Sequence, residues 1–144
     1  MAVITVAPGR CWQYSHYVGR QGTAGTGFSA PIGVALGKDD TLYVANRNNP
    51  RVTKATVGQE FIKEFGRGIP EQVGAPFPSR HMWLTAVVLD KDENVYVADE
   101  WHNSILVYNS DGDILTNWGE QGEGEGKLNR PSGMVFDADD NLWI

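Results

Sequence analysis

The feature that most constrains this chain is an internal repeat. Residues 31–44 align without a gap on residues 131–144, and residues 33–46 align on residues 86–99. Each copy carries an acidic turn followed by an apolar stretch with a Tyr or Trp near its end. Three copies at a period of roughly 50 residues indicate small units that stack on one another, because a single unit of such a repeat cannot bury its apolar faces alone.

Each complete copy is predicted to contain four short strands. In the middle copy we expect these strands at about 84–90, 94–99, 104–109 and 113–118. Seventeen glycines and seven prolines fit a chain with many tight turns, and no window shows helical periodicity over three turns. Four antiparallel strands per repeat of this length predict an all-β fold made of β-propeller blades.

The motif itself resembles the NHL repeat. The segments PIGVALGKDDTLYVAN at 31–46 and PSGMVFDADDNLWI at 131–144 carry the resemblance, together with a second hairpin that ends in Phe65-Gly66 or Trp118-Gly119. The resemblance implies a six-bladed propeller, of which this chain would supply about three blades. The Asn-His pair typical of the family is replaced by other residues in the loop after Asp99, so no family-wide site can be transferred to this chain.

The strands are expected in the order 2+4+4+2. The predicted units are a half blade at 2–19, complete blades at 28–66 and 77–119, and a second half blade at 128–144. The two half blades are complementary, so we expect self-association, in which two copies close a homodimeric six-bladed ring. The alternative is that the chain belongs to a longer propeller that supplies the missing strands.

Composition excludes several classes of protein. The net charge of −6 opposes binding to a phosphate backbone, so we do not expect nucleic acid as a partner. No apolar run approaches the ~20 residues of a membrane span, and the N-terminus lacks the pattern of a secretory signal, so we expect a soluble chain with no membrane partner. The single cysteine, Cys11, is predicted in a turn and cannot form an intrachain disulfide.

Two acidic motifs invite a functional interpretation that their context does not support. Residues 90–94 and 137–141 both read D-x-D-x-N, the opening of a calcium loop, but Val95 and Leu142 stand where that loop needs glycine. We interpret both as turns. The acidic glycine run at 119–126 precedes no predicted helix, and its glutamates would repel a phosphate, so we interpret it as a connection between blades.

Candidate binding residues cluster in two connections of the middle copy. The first connection enters the innermost strand, and the second follows the second strand; both emerge on one face of a propeller near the channel mouth. The corresponding loop of the preceding blade extends the same surface. The predicted ligand-binding residues are Arg80, His81, Trp83, Glu100, Trp101, His102, Arg47 and Asn48.

Two functions fit this pattern. The first is a non-enzymatic scaffold that binds a protein, peptide or small-molecule ligand through the loop face. The second, suggested by lyases among NHL-like propellers, is a metal-dependent lyase- or hydrolase-like enzyme, with a divalent metal as cofactor and His81 and His102 as candidate ligands. We further expect His16 to be a structural strand residue, Trp118 to be buried at the end of a fourth strand, and Trp101 to be exposed.

Overall fold

The computed structural model describes residues 3–7, 10–13, 15–66 and 82–144, the first two ranges by their backbone alone. These residues form fourteen strands. In chain order they are β1 (Val3–Ala7), β2 (Arg10–Gln13), β3 (Arg20–Gln21), β4 (Gly27–Phe28), β5 (Pro31–Leu36), β6 (Thr41–Asn46), β7 (Arg51–Thr56), β8 (Phe61–Phe65), β9 (Leu84–Leu89), β10 (Val95–Asp99), β11 (Ser104–Tyr108), β12 (Ile114–Trp118), β13 (Val135–Phe136) and β14 (Leu142–Trp143).

Two antiparallel sheets of four strands make up most of the fold. One has the order β5-β6-β7-β8 and the other the order β9-β10-β11-β12, so each strand pairs with its neighbour in sequence. A two-stranded sheet, β1-β2, precedes them in the chain, and another, β13-β14, follows them. The all-β prediction and its 2+4+4+2 order are therefore confirmed. The described part holds no helix long and apolar enough to cross a membrane.

Two local expectations were wrong, and one feature was not predicted. Cys11 lies in β2 rather than in a turn, and it pairs with Thr5 of β1. His16 follows β2 instead of lying in a strand, and its Nε2 atom sits 2.9 Å from the Val57 carbonyl oxygen. A short parallel bridge between β3 and β4 was not anticipated; it closes the connection that leads into β5.

The main core lies between the two complete blades. Tyr43 and Val52 of the first blade pack with Val87, Val97 and other apolar residues of the second. The innermost strands approach each other so closely that a Cβ added to Gly33 would lie 3.1 Å from the Val87 nitrogen. Glycine at this position of the first blade therefore lets its innermost strand approach the innermost strand of the second blade closely.

The D-x-D-x-N motifs form turns, as predicted. The Oδ1 atom of Asp90 accepts hydrogen bonds from the backbone N–H groups of Asp92 and Asn94 at 2.9 and 2.8 Å. Asp137 accepts the equivalent bonds one copy later. Because backbone donors already occupy these carboxylates, the motif serves to fix the turn between the first and second strands of each blade.

Trp118 departs from its predicted burial, since 39% of it is exposed. Its equivalent in the preceding blade, Phe65, is buried and packs on Tyr108 with ring centroids 5.2 Å apart. The difference follows from the neighbouring sheet. Phe65 is covered by the complete second blade, whereas the sheet that follows Trp118 contains only β13 and β14.

Candidate functional site

The loop face is organised around a buried residue at the end of the second strand of each blade. In the second blade this residue is Asp99, whose Oδ1 atom accepts hydrogen bonds from the backbone N–H groups of Trp83 and Trp101, both at 3.0 Å. In the first blade the equivalent residue is Asn46, whose Oδ1 atom accepts from Ser29 N at 3.0 Å, one position before the equivalent of Trp83. One side chain thus joins the entry of the innermost strand to the loop after the second strand.

A cleft of about 400 Å³ opens between these connections. It lies where the second blade meets the connection leading to β13. Its lining combines aromatic, amide, acidic and basic side chains, all from loops. The lining residues are Trp83, Glu100, Trp101, Asn103, Gln121 and Arg130.

Glu100 is the electrostatic centre of this cleft. Its Oε2 atom lies 3.2 Å from Nη2 of Arg47, which belongs to the first blade. Its Oε1 atom accepts a hydrogen bond from Nε of Arg130 at 2.8 Å. The carboxylate is largely buried and forms ion pairs with two guanidinium groups. It therefore links the first blade, the second blade and the connection to the last half blade.

The aromatic wall consists of two tryptophans held edge to face. The ring centroids of Trp83 and Trp101 are 5.4 Å apart, with an interplanar angle of 63°. The guanidinium carbon of Arg47 lies 4.8 Å from the centre of the Trp83 ring, within the range of a cation–π contact. The two indoles remain 42% and 55% exposed, so the cleft presents a large apolar surface to solvent.

Arg130 is held in an unusual backbone conformation. Its φ of 54° lies in the left-handed region, which costs a residue with a side chain of the order of 1 kcal/mol or more. Its backbone N–H donates to Oδ1 of Asn103 at 2.7 Å, and this bond helps to maintain the conformation. Ala30, the equivalent residue one hundred positions earlier, has a φ of 50°, whereas Trp83, the equivalent residue of the middle copy, does not have a positive φ, so two of the three copies share the conformation.

The structure brings together four of the eight predicted site residues: Trp83, Glu100, Trp101 and Arg47. His102 points instead toward Asp99, with 2.6 Å between Nδ1 and Oδ2. Asn48 lies on the loop of the first blade, where its backbone N–H donates to the Ser29 carbonyl. Arg80 and His81 lie outside the described residues.

Sequence reasoning missed Asn103, Gln121 and Arg130. A signal for Arg130 was nevertheless available, because Ala30, Trp83 and Arg130 occupy the same position of the repeat, immediately before the innermost strand. The change from Ala to Trp to Arg at that position marks it as a place where the loop face varies.

The described ranges contain no cluster of side chains that could hold a metal ion. Within residues 15–66 and 82–144, no three His, Cys, Asp or Glu side chains are grouped to hold an ion. His102 already contacts the Asp99 carboxylate through Nδ1. Because His81 lies outside those ranges, its part in a metal site stays a prediction.

A second cleft, of about 380 Å³, occupies the corresponding place two copies earlier, at the connection that leads into β5. Val18, Phe28, Ala30 and Pro31 give it an apolar lining, beside the polar residues Arg20 and Gln21. The same loop framework therefore carries different side chains in the first and the last copy of the repeat. The tryptophan pair and the Glu100 ion pairs belong to the cleft beside Trp83 and Trp101, and they do not line the cleft beside Phe28.

Four-stranded antiparallel sheets in series, with β9 in contact with β5 on one side and β13 on the other, define a segment of a β-propeller. A scan against protein-family models found no match. A search of curated protein sequences likewise found none.

Solved structures support the propeller fold. The chain is similar to virginiamycin B lyase from Staphylococcus aureus, with a TM-score of 0.58 and 22% identity over 80% of this chain and 34% of the lyase. It is also similar to a putative exported protein from Bacteroides fragilis, with a TM-score of 0.59 and 14% identity over 87% of this chain and 31% of that protein. This chain thus spans about a third of each structure, and identities this low establish the fold alone.

Proposed function

We propose that this chain is a segment of an NHL-type propeller that binds a protein or peptide through the cleft beside Trp83 and Trp101, without catalysing a reaction. The observation that carries the proposal is the pair of exposed indoles in a loop framework fixed by Asp99. Apolar surface of this kind is costly in water, and burying it against a partner is favourable. The NHL assignment itself rests on the repeat pattern of the sequence.

The chemistry of the cleft favours a protein or peptide as its ligand. Tryptophan and arginine are the residues most enriched among those that dominate binding energy at protein interfaces. Here Arg47 stacks on Trp83, and Arg130 borders the same cleft. The indoles can bury apolar side chains, while guanidinium N–H groups can donate to carbonyl or carboxylate oxygens of a partner.

Preorganisation supports the same conclusion. Glu100 holds both arginines, and hydrogen bonds to Asp99 fix the backbone beside both tryptophans. Side chains that are already ordered lose little conformational entropy on binding, so more of the contact energy appears as affinity. A cleft built in this way is suited to recognition.

The proposal can be tested by selecting binders from a random peptide library displayed on phage, with the purified chain as bait. We expect the selected peptides to bind Trp101→Ala at least about 30-fold more weakly, the effect of losing a residue worth about 2 kcal/mol. Leu115→Ala is the matched control, because Leu115 is also apolar and exposed but lies on the outermost strand β12. Peptides that bind both variants as tightly as the original chain would contradict the proposal.

A further inference from the structure

The charged groups around the tryptophan cleft differ in how accessible they are to a ligand. The Glu100 side chain is only 10% exposed, and both of its oxygens are held in ion pairs. Asp99 is fully buried and accepts hydrogen bonds from the backbone of Trp83 and Trp101. Arg47, by contrast, keeps 36% of its side chain exposed although it lies between the two complete blades. A ligand that enters the cleft therefore meets guanidinium groups and not carboxylates.

The ion pairs with Glu100 use only part of the hydrogen-bonding capacity of each guanidinium. Arg47 donates to Glu100 through Nη2, and Arg130 donates through Nε and Nη2 to one carboxylate oxygen. A guanidinium carries five N–H donors in a planar fork, which matches the two oxygens of a carboxylate. Each arginine can therefore hold Glu100 and bind a second carboxylate at the same time.

We propose that the segment recognised by this cleft carries an Asp or Glu side chain next to its apolar anchor. This inference rests on the peptide-binding role proposed above. The anchor packs on Trp83 and Trp101, and the carboxylate pairs with Arg47 and Arg130. The guanidinium carbon of Arg47 lies 4.8 Å from the centre of the Trp83 ring, so the acidic residue and the anchor must be close together in the partner. Charge-assisted hydrogen bonds beside an apolar wall are stronger than those in bulk water.

The surroundings of the cleft favour an isolated acidic side chain over a polyanion. Gln121, which lines the cleft, belongs to the acidic glycine run. Glu120, Glu123 and Glu125 of that run are exposed. Together with the net charge of −6, these carboxylates oppose the approach of a nucleic acid or of a long acidic tract. One carboxylate beside an apolar anchor satisfies the arginines without this repulsion.

The test uses peptides from the display selection that lose affinity for Trp101→Ala. They are synthesised with an amidated C-terminus, so that every carboxylate belongs to a side chain, and each Asp or Glu is replaced by Asn or Gln. We expect one such replacement to weaken binding at least about 10-fold in isothermal titration calorimetry. We also expect added NaCl to weaken the acidic peptide more than its amide form.

Arginine variants then identify the groups that recognise the carboxylate. In Arg47→Gln and Arg130→Gln the ratio of the two affinities, acidic peptide over amide peptide, should decrease. A purely structural effect of either substitution would weaken both peptides and leave this ratio unchanged. Arg20→Gln is the matched control, because Arg20 is also exposed but lines the other cleft, and it should preserve the ratio.

Two results would overturn this inference and leave the proposed function intact. The first is a set of peptides that require Trp101 but bind equally well with and without acidic side chains. The second is an acidic preference that persists undiminished in both arginine variants, which would assign the carboxylate to other groups. Peptides that bind Trp101→Ala as tightly as the original chain would instead overturn the proposed function, and this inference with it.

Discussion

The Oδ1 atom of Asp99 accepts a hydrogen bond from the backbone N–H of Trp83 at 3.0 Å, across sixteen positions of sequence. This bond ties the connection that enters β9 to the end of β10. The same atom holds the backbone of Trp101, so one buried carboxylate sets the positions of both tryptophans. The binding cleft is thus a direct consequence of how each blade fixes its loops.

Removal of the Asp99 carboxylate should be costly. We expect Asp99→Ala to lower the free energy of unfolding by about 2–4 kcal/mol, because backbone donors lose a buried acceptor. Asp99→Asn should cost much less, about 1 kcal/mol, because an asparagine oxygen can still accept backbone hydrogen bonds, as that of Asn46 does in the first blade. Urea unfolding of both variants checks the order; equal losses would mean that the hydrogen-bond framework contributes little.

The different burial of Phe65 and Trp118 gives a second prediction. Phe65→Ala should destabilise the chain by about 3–5 kcal/mol, as truncation of a packed aromatic residue does. Trp118→Ala should cost less than about 2 kcal/mol, because its side chain is substantially exposed. Both are to be compared by urea unfolding under the same conditions. A larger loss at Trp118 than at Phe65 would contradict the observed packing.

Tyr108 should make the fold sensitive to alkaline pH. Burial raises the pKa of its phenol well above the ordinary value of about 10. Because the folded chain favours the neutral phenol, its contribution to stability is complete below about pH 10 and decreases as the pH rises further. Tyr108→Phe should flatten the decline of the urea midpoint above pH 10, whereas Tyr17→Phe, at an exposed position, should leave it unchanged. An unaltered decline in Tyr108→Phe would refute this role.

Repetition explains why most of the fold could be predicted. The aligned copies and the turn residues, such as those at 90–94, define strands and their order because each depends on local sequence and on a face shared with the next copy. The burial of Trp118 could not be obtained in this way. It depends on how complete the neighbouring sheet is, and the repeat pattern gives every copy the same expectation.

Only part of the candidate site could be predicted from the sequence, because some of its residues are placed by contacts that the repeat pattern does not specify. Trp83, Glu100 and Trp101 could be assigned to one face from loop topology. His102 turns inward because its ring contacts the Asp99 carboxylate. In the sequence, Asp99 is recognisable only as the last residue of a strand. Arg130 reaches the cleft through a left-handed backbone conformation and an ion pair with Glu100, and neither is encoded in residue spacing.

The central claim is that Trp83 and Trp101 form the binding surface, and indole N–H signals in a ¹⁵N NMR spectrum test it most directly. The chain has five tryptophans, and single Trp→Phe variants assign their signals. On titration with a peptide from the display selection, we expect the signals of Trp83 and Trp101 to shift while those of Trp118 and Trp143, outside the cleft, stay in place. Shifts confined to Trp118 or Trp143 would contradict the account.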